Sequence, residues 1–120
     1  MIDILNLKNR KGKLFMRVFI SQKMNGLTEE EILKTREEAI RYAKFVIGLA
    51  PGDTFEFIDS YFRFYPEEDT TPLFFLGKSL ELLSTADICL FVGNWETARG
   101  CRIEHDCCLE YGIPRVYFKC

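Results

Sequence analysis

The sequence predicts an α/β fold: a Rossmann-like open parallel sheet of about four or five strands with helices on both faces. Two observations carry this. Short apolar, β-branched and aromatic runs alternate along the chain with longer segments of helical periodicity, and turn or capping residues mark the changes between them. Strands that alternate with helices pair in parallel through right-handed crossovers. At 120 residues and 48% hydrophobic content the chain has material for one core, so a single domain over residues 1–120 is expected.

The elements follow in order. Residues 1–12 stand outside the alternation; "IDILNL" followed by "KNRKGK" fits either an extra edge strand and turn or a frayed end. "KLFMRVFIS" has the length and composition of a strand, and Asn25-Gly26 marks a turn after it. Thr28 and Glu31 stand at capping-box spacing, and Ile32, Ala39, Ala43, Val46 and Ala50 continue as an apolar stripe that stops at Pro51-Gly52. "TFEFID" reads as the second strand, "PLFFLGKSLELLSTA" as the second helix and "DICLFVG" as the third strand. "ARGCRIEHDCCLEYG" reads as a helix ending at Gly112, and "PRVYF" as the last strand.

Composition removes several functions. A formal charge of −2 lacks the basic footprint that phosphate backbones require, so no nucleic-acid partner is expected. No apolar run approaches the roughly 20 residues that span a bilayer, and the first residues lack a signal-peptide pattern. The expectation is a cytoplasmic protein with no membrane partner. The five cysteines are an odd set, three of them on one helical segment, which suits reduced thiols better than a disulfide framework. "EHDCC" holds the only histidine, His105, but lacks a second spaced pair to complete a tetrahedral site, so neither metal nor cofactor is expected.

In an open parallel sheet, ligands sit beyond the carboxyl ends of the strands at the switch point, here the loops at 21–27, 60–72 and 93–100. On a helical wheel Gly100, Cys101, Cys107, Cys108 and Tyr111 fall within about 60° of Glu104, while Arg102, His105, Asp106 and Glu110 fall opposite. Glu104 therefore centres the inward face of its helix. A carboxylate there must find donors, take up a proton or face a ligand cavity. A backbone N–H or an arginine would serve as a purely structural partner.

The remaining candidates lie in the loops. Ser21, Gln22, Lys23 and Met24 lie in or beside the turn after the first strand, where Lys23 could meet a phosphate. Asn94, Trp95, Arg99 and Gly100 precede Glu104; Trp95 suits either stacking on a flat ligand or anchoring the packing. Tyr61 and Arg63 belong to the aromatic run "YFRFY", which fits a base-stacking wall, a lid or a subunit interface. The turn has neither G-x-G-x-x-G nor P-loop spacing.

"VFISQKMNG", "TADICLFVGNWETARGCRIEHDCCLEYG" and the element order together resemble the nucleoside 2-deoxyribosyltransferase-like superfamily, most closely its short, often phage-encoded branch. The resemblance covers most of residues 16–118, and Gly100-x-x-x-Glu104 is similar to the family's G-T-A-x-E motif. It implies that Glu104 holds the place of the nucleophile that attacks the anomeric carbon of a nucleoside. Where the family's first strand ends Y-L-A-G-P, this chain carries Phe19 and then Gln22-Lys23, so the tyrosine hydroxyl that orients the nucleophile has no counterpart. The expected function is binding of a nucleoside- or nucleotide-derived small molecule, such as a relative of cyclic ADP-ribose, for sensing or sequestration. The alternatives are an N-glycosidase or deoxyribosyltransferase acting through Glu104, and an oligomeric scaffold. A homo-oligomer is expected in each case.

Overall fold

The computed structural model describes residues 15–48, 50–58 and 71–119. Among the described residues four strands and three helices alternate: β1 (Phe15–Gln22), α1 (Glu29–Ile47), β2 (Thr54–Ile58), α2 (Pro72–Leu83), β3 (Ile88–Val92), α3 (Arg99–Tyr111) and β4 (Arg115–Phe118), with a 3-10 turn at Trp95–Thr97 before α3. All pairings are parallel and the strand order is β2-β1-β3-β4. The expected α/β architecture holds. The possible edge strand at residues 1–12 lies outside the described residues.

Local chemistry sets the helix ends. The Thr28 hydroxyl accepts from the Glu31 amide at 3.1 Å while the Glu31 carboxylate accepts from the Thr28 amide at 3.2 Å, closing the capping box. Glu29, Glu30 and Glu31 set negative charge against the positive end of the helix dipole. Gly48 ends α1 and Gly112 ends α3 with φ of 78° and 71°, a left-handed turn that glycine adopts without strain.

The crossovers divide the helices between the faces of the sheet. α1 covers one face, packing Ala39, Ala43 and Ile47 on Met16, Val18, Ile20, Ile88, Leu90 and Val92. On the other face, Leu83 from α2 and Cys108 from α3 pack on Phe19, Ile58, Cys89 and Phe91. β3 is buried along its whole length, which explains its unbroken apolar run. The Asp87 carboxylate, at the opposite end of β3 from the crevice, accepts from the Arg17 amide at 2.8 Å and ties the strand starts together.

Two details of the helices differ from expectation. The buried stripe of α1 runs Ile32, Arg36, Ala39, Ala43, Ile47, whereas Val46 is exposed and Ala50 lies beyond the helix end. The i, i+3, i+4 path from Ala43 reaches Ile47, and an arginine enters the stripe because a polar partner waits for it on β1. On α3, Tyr111 is exposed, since Gly112 turns the chain away from the sheet. No helix among the described residues is long and apolar enough to cross a membrane.

Candidate functional site

Strand order places the switch point between β1 and β3: the chain leaves β1 toward β2 on one side and returns to β3 on the other. Their carboxyl ends, Gln22 and Val92, are in register. A cleft of about 1260 Å³ opens there, walled by the turn after β1, the start of α2 and the first turns of α3.

Two consecutive residues of β1 send buried polar groups to opposite sides of the sheet. Ser21 turns toward α3, where its hydroxyl donates to Glu104 Oε1 at 2.6 Å. Gln22 turns toward α1, where its amide donates to the Ile32 carbonyl at 2.9 Å and accepts from Arg36 Nε at 3.1 Å. Gln22 thus spends its side chain fixing α1 to the sheet, although it also borders the cleft.

Glu104 is 6% exposed and lines the cleft. Burial pushes its carboxyl up to about 7, against the hydrogen bonds of the Ser21 and Ser79 hydroxyls, which favour the ionised form. Neither an arginine nor a lysine pairs with it among the described residues. The hydroxyls at Glu104 come from Ser21 and Ser79, while Phe19 lies wholly buried in the core. The neighbouring Cys101 thiol, also bonded to Ser21, is pushed up to about 11, chiefly by burial, and stays neutral at physiological pH.

Lys23, Met24, Arg99 and Gly100 line the same cleft, and Arg102 joins them. Asn94 and Trp95 do not. The Asn94 carbonyl accepts from Thr97 Oγ1 at 2.7 Å in the 3-10 turn. The Trp95 indole packs in an aromatic cluster: its centroid is 4.4 Å from the His105 ring at an interplanar angle of 26° and 5.0 Å from the Phe91 ring. Tyr117 joins this cluster, its hydroxyl 2.7 Å from His105 Nε2, so His105 stands half-buried against the aromatic rings of β3 and β4. Burial, and then the Arg115 charge, hold the His105 imidazole below its ordinary value, which favours the neutral ring within the stack. Tyr61 and Arg63 lie outside the described residues.

Beyond the cleft, Cys89 on β3 and Cys108 on α3 share a hydrogen bond inside the core; burial pushes the Cys89 thiol up, while the bond to Cys89 holds Cys108 down. No group of three metal-ligating side chains stands together among the described residues. Ser79 is the site residue that the sequence reading missed. Its signal was a small polar residue four positions before buried Leu83, on the same face of the helix.

No protein-family model, curated protein or solved structure matches the chain.

Proposed function

We propose that the chain binds a nucleoside- or nucleotide-derived small molecule in the cleft between β1 and β3, as a module for sensing or sequestering it in the cytoplasm. One observation carries the reading: Glu104 is a buried carboxyl at a cleft, held by two neutral hydroxyls and, among the described residues, no cation, with a proton affinity near neutrality. Such a group accepts hydrogen bonds from sugar hydroxyls or base amino groups. Lys23, Arg99 and Arg102 around the same cleft supply charge for a phosphate. Titration calorimetry with adenosine 5′-monophosphate and adenosine tests this reading. The monophosphate is expected to bind more tightly than the nucleoside, and Glu104→Gln to weaken both about tenfold or more by loss of a charge-assisted bond. Unchanged affinity in Glu104→Gln would remove Glu104 from the site.

A second reading, N-glycoside cleavage, draws on the orientation of the carboxyl by the Ser21 hydroxyl. The ionised Glu104 oxygen would attack the anomeric carbon as the base leaves with the bonding electrons and takes a proton from solvent. Water would then hydrolyse the glycosyl ester. Release of free base from a nucleoside or nucleotide by the wild type, and none by Glu104→Gln, selects this reading.

A homo-oligomer belongs to the same proposal. Phe45 on α1 is 85% exposed, with Tyr42 and Val46 one turn away or adjacent and also exposed. Sedimentation at micromolar concentration is expected to give a mass above the 14.0 kDa of one chain.

A further inference from the structure

The cleft has a neighbour. A second hollow of about 400 Å³ lies against α3, lined by Trp95, Glu96, Asp106 and His105, and it shares Arg99, Arg102 and Ile103 with the cleft. Two arginines on the first turns of α3 therefore border both spaces. The Arg99 side chain is exposed and has no hydrogen bond or ion pair among the described residues. Arg102 spends Nη1 on the Glu96 carbonyl at 2.9 Å, which holds the guanidinium in place and leaves its other N–H groups to a ligand. A planar guanidinium fork matches phosphate oxygens in pairs, and two forks side by side match two linked phosphates better than one.

The two spaces differ in chemistry. The cleft offers the Glu104 carboxyl with its hydroxyls; the hollow offers the edge of the Trp95–His105 stack and the carboxylate of Asp106, an exposed side chain with no hydrogen bond or ion pair among the described residues. Aromatic edges with an acceptor beside them suit a base or sugar that carries donors.

Resting on the reading of the cleft as a nucleotide site, we infer that cleft and hollow hold the two ends of one ligand, a nucleoside joined through a pyrophosphate to a second sugar or base, with Arg99 and Arg102 on the phosphates. Trp95 then serves recognition through the hollow, although it does not line the cleft.

Titration calorimetry with adenosine diphosphate ribose, a two-ended probe, and adenosine 5′-monophosphate, a one-ended probe, tests the inference. The two-ended probe is expected to bind the wild type roughly tenfold tighter or more. Asp106→Trp, which fills the hollow from an exposed helical position, is expected to bring the two probes to equal affinity, with circular dichroism reporting that the variant is folded. Equal affinity of the two probes for the wild type, or an advantage that survives Asp106→Trp, overturns the inference and leaves the cleft reading intact. Binding of neither probe overturns both.

Discussion

Ser21 and Gln22 are neighbours on one strand, each with a buried polar side chain, yet what they hold differs. Gln22 enters a closed arrangement: its donor and its acceptor are both matched, by the Ile32 carbonyl and the Arg36 guanidinium, within the α1 face of the core. Ser21 enters an open one: it donates to a carboxyl that borders a cleft and lacks a charged partner among the described residues. A buried amide whose donor and acceptor are both matched is an anchor for a helix. A buried carboxyl held by neutral groups beside open space is costly to folding, and a ligand is what could offset that cost. The difference teaches that burial alone does not mark a site; the accounting of partners does.

The largest test of this contrast is the pH dependence of stability. Glu104 has its folded value raised from 4.5 to about 7, so the folded chain binds a proton that the unfolded chain releases between these values. Stability from this group is fully present below pH 4.5 and is lost as pH rises to about 7, to the extent of about 3 kcal/mol. Glu104→Gln keeps the shape without the ionisation. Urea denaturation should therefore show the variant gaining on the wild type by about that amount between pH 4.5 and 8. A constant difference across that range would place Glu104 in a closed arrangement like that of Gln22.

Arg36→Ala addresses the other arrangement. It leaves the Gln22 acceptor without Arg36 and removes a buried stem, and is expected to cost about 2 kcal/mol in the same denaturation at every pH from 5 to 8. Affinity for adenosine 5′-monophosphate should not change, whereas a large loss of affinity in a folded variant would tie the two arrangements together. Ser21→Ala is expected to have the smallest effect, about 1 kcal/mol. Its sharper signature is the direction of the Glu104 titration: removing a hydroxyl that favours the ionised form moves the midpoint upward.

Much of the fold was legible because periodicity and punctuation are local. The capping box at Thr28 and Glu31, the helix stop at Gly112, the unbroken apolar run of β3 and the inward position of Glu104 could all be read from spacing. What could not be read depends on pairing across the chain. Trp95 meets Tyr117 only because β4 lies beside β3, a neighbour relation that no window around "GNWETARG" contains. Gln22 looked like a loop residue facing a ligand because Arg36, its partner, is fourteen positions away on the opposite side of a turn. Ser79 was overlooked since a neutral hydroxyl on a helix gains meaning as a site residue only when Glu104 arrives from α3.

The most direct test of the account is the ionisation of Glu104 itself, followed by carbon NMR at its carboxyl carbon, with Glu104→Gln assigning the signal. Free protein should titrate near pH 7, and saturating adenosine 5′-monophosphate should move the midpoint down, because ligand donors favour the ionised form. A midpoint near 4.5 in the free protein, or one that the bound nucleotide leaves in place, would contradict the claim that this carboxyl is held open for a ligand.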